Sequence, residues 1–425
     1  MNCIPYRDRP QVTGVGWALR ECESVFALHI VVQLSLIFCL WLVIMRPFQF
    51  PDSLVDALDT LWLMGLKDEF WEARDWVRDH LSHASVGSVS VFETTIRSLG
   101  GLLSAYDLSG DEAFLQKADE LGSLLVKAYD TPSGLPRGSI DLQTGHSNNF
   151  SWNNNAFILA ELGTQQIEYR YLARASGKDD YAKKTMKVFD ILHDIQLPDG
   201  LFFQNIQEGN GKPSFVGSKV SFGAMSDSVY EYLLKVWIQG GRKESMYREM
   251  WDKSMEGMHE KLVQKSTPNG LTYIADLNNG GLDHKMDHLA CFMGGSLALS
   301  AYTDPRGLES PRAQRDLRTA KALTYTCYQM YARTNTGIAP EYARFKGGND
   351  MTVPGDAPFY ILRPETVEAF YYLSKLTGDP IYRVSGATAD ASIGFVFMLR
   401  SILNHFLVLF RPTIKGMGVG GLPKH

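Results

Sequence analysis

Four acidic residues occupy the same place in a unit that recurs along this chain. Each stands near the start of an apolar helical segment that ends at a glycine turn about four helical turns later; the four are Glu93, Glu161, Asp227 and Glu365. If the four helices pack side by side in one direction, these carboxylates converge on one pocket. Two carboxyl groups that flank a bond are the chemical requirement of glycoside hydrolysis. The repeat therefore predicts a carboxylate-lined pocket that suits a sugar.

Three of these residues also have a purely structural interpretation. Glu93 and Arg97 are four residues apart and would form an ordinary ion pair on a helix face. Asp227 lies between two serines and would cap a helix, and Glu365 follows a proline and would complement the helix dipole. For Glu93 and Arg97, the apolar and glycine-containing surroundings favour a functional role, because a charge packed among apolar residues is costly. The common phase of all four acids favours the pocket.

Two further residues extend the predicted pocket. Glu368 lies one turn after Glu365, on the same helix face. His288 offers an imidazole at the start of another apolar segment. A single histidine is more often a hydrogen-bonded core residue than a ligand, and this alternative stays open for His288.

The segments that carry these residues are typical of successive helices. Between residues 52 and 383, apolar residues recur at spacings of three and four, and Gly, Pro, Asn and Asp mark the turns. Apolar helices alternate with more polar, amphipathic ones, which predicts an all-α toroid of inner and outer helices. Short β-prone stretches at 201–203 and 271–274 predict β-hairpins at one rim. The predicted helices are 54–66, 69–81, 91–107, 113–129, 154–175, 180–195, 225–239, 244–263, 288–302, 313–333 and 364–376.

The two ends of the chain depart from this pattern. Residues 1–24 are an N-terminal tail, and residues 25–45 contain no Asp, Glu, Lys or Arg, over a length close to the ~20 residues that span a bilayer. Residues 25–45 therefore predict a transmembrane signal anchor; the alternatives are a buried helix and sequence that does not belong to the mature protein. Residues 46–383 are assigned to one domain, and residues 384–425 form a divergent apolar tail.

Composition limits the classes of function. The chain has 425 residues, 45% of them hydrophobic, and a formal net charge of −5. This is enough for a large core, and the absence of a basic stripe argues against nucleic-acid binding. None of the five cysteines forms a CxxC pattern. Cys291 and Cys327 lie in apolar helical segments and are either a disulfide or two buried thiols.

Six segments carry specific motifs: VDALDTLWLMGL (55–66), VFETTIRSLGGLLSAYDLSGD (91–111), DSVYEYLLKVWIQGG (227–241), KMDHLACF (285–292), GIAPE (337–341) and LRPETVEAFYYL (362–373). Together they resemble the class I α-1,2-mannosidases of glycoside hydrolase family 47, over residues 52 to 383. The resemblance implies an (α/α)7 barrel in the secretory pathway. It also implies an inverting, calcium-dependent enzyme that trims α-1,2-linked mannose from high-mannose N-glycans.

The resemblance further implies roles for single residues. Glu93 in FETTIR matches the general acid, acting through a water, and Glu365 in RPETVE matches the base that activates the attacking water. Asp227 matches a third essential carboxylate, and Cys291 and Cys327 match a disulfide of the family. Positions that contact the sugar or calcium-bound water are matched by Arg97, Glu161, His288, Arg363 and Glu368.

The sequence departs from the family pattern at its C-terminal end. The family continues, beyond the segment that matches here, to a threonine in a TEAHP motif that binds calcium directly, and this sequence contains no TEAHP. We therefore expect the C-terminal part of the barrel to be incomplete, and the metal ligand stays unknown. Two alternatives to a hydrolase follow: a mannosidase-like lectin of glycoprotein quality control and ER-associated degradation, and an inactive truncated fragment.

Expectations for location and partners follow from the same resemblance. The protein is expected to be a monomer that acts on high-mannose N-glycans of glycoproteins, with calcium as cofactor and without a nucleic-acid partner. It is expected in the ER or Golgi membrane, anchored through residues 25–45, with the catalytic domain in the lumen. Asn149-Phe150-Ser151 is a glycosylation sequon that would fit a luminal loop; chance is the alternative, since such triplets are common.

Overall fold

Helices follow one another in pairs, an apolar helix and then an amphipathic one. The computed structural model describes residues 52–83 and 86–383, so the predicted anchor at 25–45 and the tail at 384–425 lie outside the described residues. Over the described ranges, no helix is both long and apolar enough to cross a membrane. The pairs are α2 (Leu58–Met64) and α3 (Lys67–His80), α5 (Gly100–Ser109) and α6 (Glu112–Leu125), α8 (Gln166–Ser176) and α9 (Asp180–Ile195), α10 (Asp227–Gln239) and α11 (Ser245–Lys261), and α12 (Phe292–Tyr302) and α13 (Pro311–Ala332).

Four further helices complete the described part. Short helices α1 (Asp52–Asp56), α4 (Val91–Thr94) and α7 (Leu159–Leu162) precede the first helix of three pairs, and α14 (Glu365–Thr377) follows the last pair. The first helices of the pairs contact one another in chain order, from α2 through α5, α8, α10 and α12 to α14. The second helices pack outside them; α3 contacts α6, and α9 contacts α11. This arrangement is the α/α toroid that the helix periodicity predicts.

The strands define one rim of the toroid. All of them lie in connections that lead from an outer helix to the next inner helix, and they pair in antiparallel fashion. The rim that they form is therefore the one at which the inner helices begin, as the hairpin prediction requires. The strands are β1 (Ser88–Ser90), β2 (Ser139–Asp141), β3 (Ser147–Asn148), β4 (Phe157–Ile158), β5 (Asn205–Gly209), β6 (Lys212–Val216), β7 (Val263–Lys265), β8 (Thr272–Ile274), β9 (Asp276–Asn278), β10 (Gly281–Asp283), β11 (Lys285–Asp287) and β12 (Tyr342–Arg344).

Three local features differ from the predicted elements. A π-helical turn, Thr95–Leu99, separates α4 from α5 inside the predicted helix 91–107. The predicted helix 154–175 is divided into β4, α7 and α8, with a break at Gly163, where a Cβ atom would lie 2.5 Å from the side chain of Val229 in α10. Residues 201–203 are not a strand; the hairpin of that connection is formed a few residues later, by β5 and β6.

Close packing and a covalent link hold α12 against both neighbours. A Cβ atom at Gly294 would lie 2.2 Å from Thr324 Oγ1 of α13, and one at Gly295 would lie 2.7 Å from the ring of Tyr372 in α14. Only glycine allows this approach. Cys291 and Cys327 form a disulfide, with their Cα atoms 6.0 Å apart, which confirms the pairing that the resemblance implied. The disulfide ties the entry to α12 to the middle of α13.

Candidate active site

The four acidic residues of the repeat all lie where inner segments begin, at the rim that carries the strands. Glu93 and Glu161 are the third residues of α4 and α7, and Asp227 and Glu365 are the first residues of α10 and α14. Glu93 and Glu161 are thus positioned by the short helices α4 and α7, whereas the sequence predicted long helices for them. Because inner helices point in one direction around the toroid, the four carboxylates face a common rim.

Glu93 and Arg97 form an ion pair that is open to solvent. Arg97 Nε donates to Glu93 Oε2 at 2.7 Å, and about half of each side chain is exposed. The backbone N–H of Glu93 donates to Ser90 Oγ at 3.2 Å, so Ser90 caps the short helix. The expectation that this pair is packed among apolar residues was wrong, because α4 and the π-helical turn that follows it leave both side chains half-exposed to solvent. Solvent access fits a group that exchanges a proton through water.

Glu161 lies beside Glu93 in a more enclosed position. Burial, and secondly the negative charge of Glu93, raise the pKa of Glu161 to about 7. A Cβ atom at Gly138 would lie 3.0 Å from Glu161 Oε2 and 2.6 Å from the ring of Phe150. Because Gly138 has no side chain, a gap remains there, and the Glu161 carboxyl and the Phe150 ring both border it.

Asp227 belongs to a second group of carboxylates. The backbone N–H of Ser228 donates to Asp227 Oδ1 at 2.9 Å. Burial nevertheless raises the pKa of Asp227 to about 7, and the negative charges of Glu365 and Glu231 act in the same direction. The influence of Glu365 on Asp227 shows that the starts of α10 and α14 are close together.

Glu365 and His288 face each other with unsatisfied polar atoms. Glu365 Oε2 and His288 Nδ1 are buried, have no hydrogen-bond partner and lie 3.6 Å apart, too far for a direct hydrogen bond. The other ring nitrogen of His288 is 2.8 Å from Tyr331 Oη and 3.0 Å from Thr366 Oγ1. Burial raises the pKa of Glu365 to about 8 and lowers that of His288 to about 3. A water or sugar hydroxyl beside these two atoms would satisfy both.

Two cations form ion pairs in this part of the site, Arg363 with one carboxylate and Lys235 with two. Arg363 binds Glu341 through two N–H groups, one of them Nε at 2.7 Å from Oε2. Lys235, in the interior, binds Glu231 on its own helix and Glu368 on α14, the latter at 3.3 Å. Burial raises the pKa of Glu368 to about 7 despite this contact. The site therefore combines several carboxyl groups with two fixed cations.

Hydrogen bonds join the two groups of carboxylates. The backbone N–H of Ala160, next to Glu161, donates to the carbonyl of Met225, two residues before Asp227, at 2.9 Å. One turn later, Thr164 Oγ1 donates to Ser228 Oγ at 2.7 Å. The structure thus brings every predicted site residue to one side of the toroid: Glu93, Arg97 and Glu161 in one group, and Asp227, His288, Arg363, Glu365 and Glu368 in the other.

The carboxylates do not form a metal centre by themselves. Among residues 52–83 and 86–383, no group of three or more His, Cys, Asp and Glu side chains is arranged to hold a metal ion. Lys235 already occupies oxygens of Glu231 and Glu368. The donor set of the described residues therefore does not fit a directly coordinated calcium ion, which needs six to eight oxygen ligands.

A stacked aromatic pair, of which Trp152 is exposed and Phe150 is half-buried, borders the first group. The rings of Phe150 and Trp152 are stacked, with centroids 5.7 Å apart, and Trp152 is 67% exposed. Asn149, immediately before them, is buried; its Oδ1 accepts from the Gly138 N–H, and its Nδ2 donates to the Asn155 carbonyl at 2.9 Å. The sequon asparagine thus anchors the aromatic loop, and its amide nitrogen faces a backbone carbonyl instead of solvent.

Sequence reasoning overlooked several residues of the site. Lys235 is one of them, and the sequence contained a signal for it. Two acids and a lysine stand at four-residue spacing along the apolar helix α10, as Asp227, Glu231 and Lys235, and residues at this spacing share a helix face. Glu341 lay in a quoted motif without a role. The pairing of Tyr331 and Thr366 with His288 had no local signal, because these residues are far apart in the chain.

The raised pKa of Glu365 predicts a dependence of stability on pH. The folded protein holds a proton up to about pH 8, whereas the ordinary value is 4.5. The stability that this proton contributes is therefore fully present below about pH 4.5 and is lost as the pH rises towards 8. Since glutamine cannot ionise, we expect Glu365→Gln to increase the free energy of unfolding at pH 8 by on the order of 4 kcal/mol, and by little at pH 4.5. Urea denaturation with chelator at both values checks this; an equal gain at both would contradict it.

Comparisons with known proteins agree with the geometry. The sequence profile of glycosyl hydrolase family 47 matches residues 47–399. A mannosyl-oligosaccharide 1,2-alpha-mannosidase of Arabidopsis thaliana is 45% identical over 79% of this chain and 59% of its own length. Mannosyl-oligosaccharide 1,2-alpha-mannosidase IA of Sus scrofa is 41% identical over 78% of this chain and 50% of its own length. The chain thus spans about half to three-fifths of these relatives.

A solved structure supports the fold. The alpha-1,2-mannosidase from Trichoderma reesei superposes with a TM-score of 0.73 at 24% identity, covering 84% of this chain and 85% of its own. The profile match extends over most of the sequence and includes all the acidic residues of the rim. The chain therefore belongs to glycosyl hydrolase family 47.

Proposed function

We propose that this protein hydrolyses terminal α-1,2-linked mannose from high-mannose N-glycans, with inversion at the anomeric carbon. The observation that carries the proposal is the convergence of Glu93 and Glu161 with Asp227 and Glu365 on one rim of a family 47 toroid. An inverting glycosidase needs an acid on one side of the bond and a base with space for water on the other. The two groups of carboxylates supply the two sides.

The proposed roles follow from access and hydrogen bonding. Glu93, which is half-exposed and paired with Arg97, delivers a proton to the leaving oxygen through a water. Glu365 removes a proton from the attacking water, which the unpartnered Glu365 Oε2 and His288 Nδ1 orient between them. Because the pKa of Glu365 is about 8 in the empty site, binding of substrate must leave this group ionised for it to act as a base. The positive charge of Arg363 favours the ionised state of Glu365.

Asp227 and Glu161 complete the electrostatics of the proposed site. The transition state of glycoside hydrolysis resembles an oxocarbenium ion and carries positive charge on the sugar ring. Carboxylates that already lie around the ring position stabilise this charge without reorganising. Asp227, at the start of α10, and Glu161, beside Glu93, are the groups to which we assign this role.

Calcium remains part of the proposal as the cofactor that the family implies. It would bind sugar hydroxyls and water and hold them in a fixed geometry. Since the described residues do not fit a direct ligand set, no step of the mechanism is derived through it. The proposed setting is the secretory pathway, in the ER or Golgi membrane, with the catalytic domain in the lumen, glycoproteins as partners, and a monomeric state.

The test is incubation of the purified full chain with a nine-mannose N-glycan, with calcium or with chelator, followed by mass spectrometry. Calcium-dependent loss of mannose supports the hydrolase. Binding of the glycan by calorimetry without any loss of mannose would instead support the lectin of glycoprotein quality control. Neither binding nor hydrolysis by a folded protein would support the inactive fragment.

A substitution of Trp152 tests where the glycan lies. Phe150 borders the gap beside Glu161, and the exposed ring of Trp152 stacks on it, so the pair offers a flat apolar surface to a sugar ring. We expect Trp152→Ala to raise KM about tenfold with kcat within about threefold, because uniform binding is lost and proton transfer is untouched. Trp71→Ala, which removes another exposed tryptophan on the outer helix α3, is the matched control. Equal effects of the two variants would argue against a glycan contact.

A further inference from the structure

Lys235 is a cation in the interior of the toroid. Its side chain is 1% exposed, and its ammonium contacts two carboxylates, Glu231 and Glu368, the second at 3.3 Å. The ammonium also lies 5.7 Å from the centre of the Tyr372 ring, within the range of a cation–π contact. A buried lysine is costly unless such partners compensate its charge. The buried charge of Lys235 is therefore compensated by Glu231, Glu368 and Tyr372 together.

The two partners lie on different inner helices. Glu231 and Lys235 are on α10, one turn apart, and α10 begins with Asp227. Glu368 is on α14, one turn after Glu365. Residues at these spacings share a helix face. The contact between Lys235 and Glu368 thus joins the helix that carries Asp227 to the helix that carries Glu365.

The link opposes a repulsion that the site itself creates. Asp227, Glu231, Glu365 and Glu368 lie close enough for their charges to influence one another. Carboxylates at the facing starts of α10 and α14 push these helices apart when ionised, and the repulsion is strong where water is excluded. Lys235 lies about two turns beyond Asp227 and binds one carboxylate from each helix. Lys235 thus holds α10 and α14 together against the repulsion between the carboxylates at their starts.

We propose that Lys235 is a positioning residue that sets the separation between Asp227 and Glu365. The inference rests on the proposed function, because the separation matters only if both carboxylates act on one bond. Lys235 acts on the positions of Asp227 and Glu365 through its contacts with Glu231 and Glu368, and this role requires no contact between Lys235 and the substrate. Small errors of position, of about 1 Å, can cost about 100-fold in rate.

The test replaces Lys235 with methionine, which keeps the length of the side chain and removes its charge. We expect kcat for the nine-mannose glycan to fall about 100-fold, while KM changes less than about fivefold. We also expect faster hydrogen exchange of backbone amides in the first two turns of α14, because its link to α10 is lost. If Lys235→Met does not fold, Lys235→Gln, which can still donate to one carboxylate, is measured in the same way.

Arg248→Met is the matched control. Arg248 is also buried, also pairs with two carboxylates, Asp252 and Asp304, and also lies over an aromatic ring, that of Trp237, but it is on the outer helix α11. We expect this control to lose stability with kcat within about threefold and unchanged exchange in α14.

The outcomes separate the two proposals. A kcat of Lys235→Met within about threefold of the unaltered protein, or α14 exchange that matches the control, overturns the positioning role. If the unaltered protein releases no mannose under any condition, the proposed hydrolase fails. The exchange of α14 amides then decides by itself whether Lys235 holds α14 against α10.

Discussion

Replacement of Glu365 by glutamine is expected to lower the rate of mannose release by about 10²–10⁴-fold, the range that one general acid or base contributes. Glutamine keeps the shape of the side chain beside His288 but cannot take a proton from water. The facing atoms, Glu365 Oε2 and His288 Nδ1, lie 3.6 Å apart in a buried gap. The variant therefore keeps the place for a water and loses the group that activates it.

Binding of the glycan is expected to change far less than turnover. The sugar contacts proposed for the other side of the site, at Glu161 and the aromatic pair, are distant in sequence from Glu365, and the hydrogen bonds of Asn149 hold the aromatic loop in place. Rates come from single-turnover mass spectrometry, and Kd comes from calorimetry with the nine-mannose glycan. An unchanged rate would refute the assignment of Glu365 as the base.

The control is the same replacement of glutamate by glutamine, made at Glu244 on the opposite rim of the toroid. Glu244 follows the C-terminal end of α10 and pairs with Arg170 at 2.9 Å. Glu244→Gln also exchanges an ion-paired carboxylate for an amide, and we expect its rate of mannose release to stay within about threefold. A loss in this control equal to that of Glu365→Gln would mean that the assay reports general damage to the toroid.

The all-α toroid was predictable because its physical cause is local. Helical periodicity and turn residues repeat along the sequence, so inner and outer helices could be distinguished by polarity alone. The phase of Glu93, Glu161, Asp227 and Glu365 within the repeat was enough to predict a common rim. The break at Gly163 was not predictable, since it accompanies close packing against Val229 of α10, and the π-helical turn after Glu93 leaves no signal in the apolar periodicity.

The interior of the site was less accessible to sequence reasoning. Exposure of the Glu93–Arg97 pair was predicted wrongly, because the apolar neighbours pack on the other side of a short helix that opens onto the rim. Lys235 was overlooked because a lysine in an apolar helix usually extends to solvent. Its partner Glu368 is 133 residues away, and pairings over such distances along the chain leave no periodic signal in one sequence.

Removal of the disulfide is expected to have the largest effect on stability. Cys291 and Cys327 are separated by 36 residues, and a cross-link over such a loop contributes about 4 kcal/mol by restricting the unfolded chain. The bond also joins the turn that begins with His288 to α13, one turn before Tyr331, which is hydrogen-bonded to His288. Its loss therefore loosens the residue that faces Glu365.

The measurement compares the unaltered protein with the double variant Cys291→Ala, Cys327→Ala, each with and without a thiol reductant. We expect the reductant to lower the free energy of unfolding of the unaltered protein to the level of the variant, because reduction and substitution remove the same disulfide. The reductant should leave the variant itself unchanged. Mannose release should fall in parallel, since His288 no longer has a fixed position against Glu365. A variant that is as stable as the unaltered protein would show that the contacts of Gly294 and Gly295 alone hold α12 between its neighbours. A variant that is less stable but equally active would show that Tyr331 and Thr366 suffice to orient His288.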